Sequence, residues 1–220
     1  MEELMPRRRY ILIARILHWL LAVGIVAEII LGLYGDRLPY GAGQAAARTT
    51  TIYAFHKTLG VALLAIAAAF AIWLRLGPPR TGAGRQAVQR YGWDHALARL
   101  VHWGLLIAIF AVPLTGPVLH GNGPSWGYAP ILWPFGDRIP GIPDRFASHP
   151  AVAAFHIASW WLFAGLSIVH VLLWLRRRRQ RRKAADGALP LLKVSLDARM
   201  VRWAPLGGVL IWLIFAVVVA

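Results

Sequence analysis

The chain has no cysteine. That absence excludes disulfides, thiolate-ligated haem, cysteine-bound iron–sulfur clusters and covalently attached c-type haem. Methionine is scarce: Met1, Met5 and Met200 all lie outside the apolar stretches, so a thioether is not expected as a buried metal ligand. Charge is scarce as well. Only 15% of the 220 residues are charged while 58% are hydrophobic, a balance too apolar for an ordinary soluble domain. The formal net charge of +15 would suit nucleic acid, yet the basic residues crowd loops of one parity. That is the pattern of membrane topology, and no nucleic-acid partner is expected.

What is present is a series of long apolar blocks, at roughly 11–34, 52–75, 97–119, 152–175 and 203–220. Blocks of about 20 residues, rising ~1.5 Å each, match a bilayer core of roughly 30 Å. The reading is all-α: a transmembrane four-helix bundle plus an extra C-terminal transmembrane helix. The first block holds Arg15, His18 and Glu28 and lacks a small-residue cleavage site, so it is not expected to be a cleaved signal. Residues 8–178 form the core domain, 179–202 a basic cytoplasmic or interfacial linker, and 203–220 the additional helix. "LPLLKVSLDARMVRW" before the last block could lie along the interface. Arg7 to Arg9, the run from Arg75 to Arg90, and Arg176 to Lys183 fall on one side if every block spans. The positive-inside rule then puts the N-terminus in the cytoplasm and the C-terminus outside. The long Pro-, Gly- and aromatic-rich loop at 120–150 faces outward, as a functional cap or as part of an interfacial aromatic belt.

Besides His102, four histidines lie inside these blocks. His156 and His170 are fourteen positions apart. That is about 1,400° of helical rotation, some 40° short of four turns, and ~21 Å of rise. They point from nearly one face, one near each membrane surface. His18 follows Arg9 by nine residues and His170 precedes Arg176 by six, so both sit in the cytoplasmic half. His56 and His156 each lie a few residues into a helix that starts outside. Depth therefore sorts them into two pairs, His18 with His170 and His56 with His156. Ionisable side chains at membrane depth are costly and mark function. Two facing imidazoles suit six-coordinate b-type haem, whereas zinc would want four ligands. Ala14, Ala22, Gly60 and Gly165 leave room for a flat macrocycle. The plainer alternative, interhelical hydrogen bonding, explains any single histidine but not the agreement in depth.

Other residues have less definite assignments. His102 shares the depth of His18; it could replace a cytoplasmic ligand, or bond a haem propionate or a quinone oxygen. Arg15, Arg75 and Arg99 flank the cytoplasmic pair and either snorkel to lipid phosphate or neutralise propionates. Glu28 lies deep in the first block, where it could stay protonated, bond a neighbouring helix or carry protons. His95, His120 and His149 are expected in interfacial loops, His149 being the best candidate for an external site.

The stretches "RILHWLLA", "FHKTLGVALL", "LVHWGLLIAIFAVPLTG" and "FHIASWWLFAGLSIVHV", in this order, resemble the bacterial cytochrome b561 family, related to the cytochrome b subunits of nickel–iron hydrogenases. "GPSWGYAPILWPFG" is similar to that family's outer loop. The resemblance covers roughly residues 8–178 and implies two haem b groups on His18, His56, His156 and His170. It also implies a multi-pass protein of the bacterial inner membrane that exchanges electrons with a quinone, ubiquinone above all. The other partner would be a periplasmic redox protein or a small donor such as superoxide, making the chain a superoxide:ubiquinone oxidoreductase. Lys57, Arg48, Arg138, Arg145 and His149 could draw in such an anion, although Asp36, Asp137 and Asp144 dilute their charge. The extra block departs from the four-helix family core and could dock a partner's membrane anchor or be what remains of a fusion to an external domain. Two other functions compete: the membrane anchor of a periplasmic redox enzyme of hydrogenase type, and a haem-free proton-coupled transporter.

Overall fold

A computed structural model describes residues 4–39, 44–76, 93–120, 129–134, 150–185 and 203–219. Among these there are five helices and no strand: α1 (Leu4–Gly35), α2 (Gln44–Arg75), α3 (Trp93–His120), α4 (Pro150–Ala185) and α5 (Ala204–Val219). Each reaches to or beyond the apolar block that predicts it, within a residue. α2 begins earlier because "QAAAR" is rich in helix formers, and α4 runs on through "RRRRQRR" for the same reason. Four helices contain stretches long and apolar enough to cross a bilayer: Arg9–Gly35, Ala46–Arg75, Asp94–Gly116 and Pro150–Gln180. α5, with 16 residues, rises only ~24 Å. Exposed Leu, Ile, Val and Trp side chains such as Leu12, Val23, Ile72, Trp161 and Ile168 are what a lipid-facing surface requires.

The chain divides into two compact units. The first comprises residues 1–81 and 109–156. Its core is Leu21, Leu63 and Ala67, with Ile25, Leu59, Ile66, Phe70, Ile109 and Phe110 packed around them. Lipid is as apolar as leucine, so helices in it associate by close packing rather than by expulsion of water. Gly24 illustrates the point: a Cβ there would lie 2.5 Å from a Leu63 methyl, so a side chain at this position would have to push the buried Leu63 aside. Polar contacts close both ends of the pair. At one end Trp73 Nε1 donates to the Tyr10 carbonyl (3.1 Å) while the two rings stack. At the other, Tyr53 Oη donates to Asp36 Oδ1 (2.8 Å) and Thr49 Oγ1 to the Pro39 carbonyl (3.0 Å). The segment 129–134 is held to α2 by two bonds: Lys57 Nζ donates to the Ala129 carbonyl (2.6 Å), and Leu132 N donates to Thr58 Oγ1 (2.8 Å).

The second unit comprises residues 82–108 and 157–220. Here α5 packs on α3. A Cβ on Gly208 would lie 3.0 Å from the Trp103 backbone, and the buried Trp212 Nε1 donates to the Gly104 carbonyl (2.8 Å). The extra helix thus has a partner within its own chain. Arg177 ties α4 to the start of α3, Nη2 donating to the Asp94 carbonyl (3.0 Å) with Nε 4.0 Å from the carboxylate.

Candidate functional site

The first unit brings His56 of α2 and His156 of α4 together, with ring centroids 6.2 Å apart and planes at 85°. Each ring uses Nδ1 on a neighbouring helix. His56 Nδ1 lies 3.2 Å from the Glu28 carbonyl and 3.4 Å from Glu28 Oε1. A carbonyl can only accept, so this nitrogen carries the hydrogen and Nε2 keeps its lone pair. His156 Nδ1 lies 2.8 Å from Thr115 Oγ1 of α3. Two glycines allow the imidazoles to approach. A Cβ on Gly32 would sit 3.2 Å from His56 Cε1, and one on Gly116 3.5 Å from His156 Cε1. Tyr53 meets His56 edge to face, with centroids 6.2 Å apart.

The second unit brings His102 of α3 against His170 of α4, with centroids 4.7 Å apart and planes at 80°. His102 Nδ1 bonds the Ala98 carbonyl of its own helix. A Cβ on Gly165 would meet nothing within 4 Å, so there is open space beside α4 between the depths of its two histidines. His18 belongs to the first unit, where it is exposed and meets Phe70 edge to face at 6.5 Å. His170 belongs to the second. Arg15, Arg75 and Arg99 are all exposed.

Several expectations change in detail. The space at Gly60 goes to a carboxyl group and not to a macrocycle: a Cβ there would stand 2.8 Å from Glu28 Oε1. Glu28 Oε1 also lies 3.4 Å from His56 Nδ1 on the neighbouring helix, while its Oε2 is buried without a hydrogen-bond partner among the described residues. Lys57 is engaged by the Ala129 carbonyl and is not a loose cation. His95 and His120 lie on α3, His120 as its last residue, because the helix extends past its apolar block at both ends. Arg138, Arg145 and His149 lie outside the described residues. Thr115, Gly32 and Gly116 are the residues that sequence reasoning missed. The one local signal was "VPLTG", in which a polar residue and a glycine sit beside a proline inside an apolar helix.

Four long apolar helices, with His56 meeting His156 and His102 meeting His170, define a multi-pass helical membrane protein. The family model described as prokaryotic cytochrome b561 matches residues 9–189, and the chain belongs to that family. It is accordingly a b-type haem cytochrome of transmembrane electron transfer. No curated protein and no solved structure matches the chain.

The residues around His56 and His156 fit such a group. Imidazole nitrogens bound to opposite faces of one metal at ~2 Å each put the ring centres roughly 6 Å apart. Metal-ligating histidines characteristically donate their other N–H to a protein acceptor, and both Nδ1 atoms lie against one here. The 4.7 Å between His102 and His170 is too short for that arrangement and is an edge-to-face ring contact.

Proposed function

We propose that the protein carries electrons across the bacterial inner membrane using two b haems, each held by two histidines. His56 and His156 hold the periplasmic one, His18 and His170 the cytoplasmic one. The N-terminus is cytoplasmic, and α5 is an additional span that ends in the periplasm. A haem with two imidazole ligands supplies a one-electron couple without an open coordination position. The chain does the rest. Glu28 and Gly32 set the His56 ring, and Gly116 admits the His156 ring. Arg15, Arg75 and Arg99 neutralise propionates, and His102 bonds a propionate or a quinone oxygen beside His170. Ubiquinone is the membrane partner; a periplasmic redox protein or superoxide is the other, the latter making the chain a superoxide:ubiquinone oxidoreductase.

The observation that carries this reading is the approach of His56 and His156 to 6.2 Å with both Nδ1 atoms against acceptors. A reduced-minus-oxidised visible spectrum of the purified protein, with the haem-to-protein ratio, tests it. Two b haems per chain are expected. A colourless protein would return the transporter reading, and a ratio of one would break one of the pairs. Reduction by superoxide with ubiquinone as acceptor distinguishes a self-sufficient oxidoreductase from the anchor of another enzyme.

A further inference from the structure

The contact between Thr115 and His156 does more than fill space. Thr115 Oγ1 donates to the Val112 carbonyl at 2.7 Å, a back-bond within α3 near Pro113, which lacks the N–H a helix needs. With its only hydrogen committed, the hydroxyl can serve His156 only as an acceptor, at 2.8 Å from Nδ1. With the Thr115 hydrogen on the Val112 carbonyl, the imidazole hydrogen belongs on Nδ1. In the opposite tautomer the hydroxyl would have to give up the Val112 carbonyl and turn its hydrogen to Nδ1, and the ring hydrogen would lie on Nε2. Gly116, the next residue, gives the ring its room.

We infer that Thr115 is a positioning residue for His156: its hydroxyl accepts the Nδ1–H hydrogen, fixing the tautomer and ring orientation in which Nε2 is the nitrogen offered to the haem iron. This rests on the proposed ligation by His156 and adds a means of tuning. An acceptor on Nδ1–H makes the imidazole more basic, which favours the ferric state and lowers the midpoint potential of the haem it ligates. His56 has its counterpart in the Glu28 carbonyl, which no side-chain substitution can remove.

The test uses the full chain purified in detergent, with Thr115→Val (same shape, no hydroxyl) and Thr115→Ser (hydroxyl kept). Readouts are haem-to-protein ratio, redox titration and low-temperature electron paramagnetic resonance of the ferric protein. Thr115→Val is expected to move one midpoint potential in the positive direction, that of the haem lost in His156→Ala, and to alter that haem's resonance; Thr115→Ser stays at wild type. Loss of that haem in Thr115→Val with retention in Thr115→Ser supports the inference equally. Wild-type potentials in Thr115→Val, or the same loss in both variants, would overturn it while leaving ligation by His156 standing. A wild-type protein without haem would remove the proposed function and this inference together.

Discussion

At the residue scale, the site depends as much on what stands opposite each imidazole as on the imidazoles themselves. A Cβ on Gly32 would stand 3.2 Å from the His56 ring, so even alanine is tight there and a long side chain would have to displace the imidazole. Gly32→Leu is therefore expected to lower haem content by one equivalent per chain, as read by pyridine haemochrome assay, with the helical circular dichroism retained. The ligand assignments predict a particular grouping. His56→Ala and His156→Ala should abolish one and the same haem, and His170→Ala the other. Spectra in which His156→Ala and His170→Ala remove the same haem would sink the pairing. These histidines were legible in the sequence because their depths follow from position along a helix. Thr115 was not, because which side chain of α3 meets His156 depends on how the helices are turned about their axes.

At the element scale, α5 is the instructive case. Its sequence is apolar all round and carries no ionisable group, so nothing in the pattern says which face packs. The structure answers with Gly208 and Trp212, both buried against α3. Gly208→Leu would drive a side chain into the Trp103 backbone. The expected cost is about 1–3 kcal/mol, typical of overpacking, seen as a lower thermal midpoint in detergent. Trp212→Phe removes one buried hydrogen bond while the Gly104 carbonyl keeps its place in the α3 ladder, at a cost of roughly 0.5–1.5 kcal/mol. Deleting residues 204–220 should leave haem content intact, since every proposed ligand lies on α1, α2 or α4. Loss of both haems would show that the fifth helix belongs to the haem-binding core. The helix ends were less legible than the helices themselves. Apolar blocks mark what lipid must cover, whereas the backbone ladder continues wherever propensity allows, as it does through Arg176 to Arg182.

For the whole molecule, the question is orientation. The basic clusters around α1, α2 and α4 predict that Asp36, in the turn after α1, lies outside and Arg178, near the end of α4, lies inside. The lack of native cysteine makes the wild type a clean background for labelling. Asp36→Cys should react with a membrane-impermeant maleimide in intact spheroplasts, and Arg178→Cys only after permeabilisation. The reverse pattern would invert the topology and exchange the sides assigned to the two haems.

The sequence by itself determined that this chain is all-α and multi-pass, and where along its helix each histidine lies. Those properties follow from hydropathy, from the rise per residue of a helix and from the cost of charge in lipid, none of which requires a partner helix. Only the tertiary structure decided that Thr115 meets His156, that His102 meets His170, that Glu28 occupies the space beside Gly60, and that α5 seats on α3. In each case the outcome depends on rotation about a helix axis and on close approach at a glycine or over a ring, and one chain segment read alone contains neither.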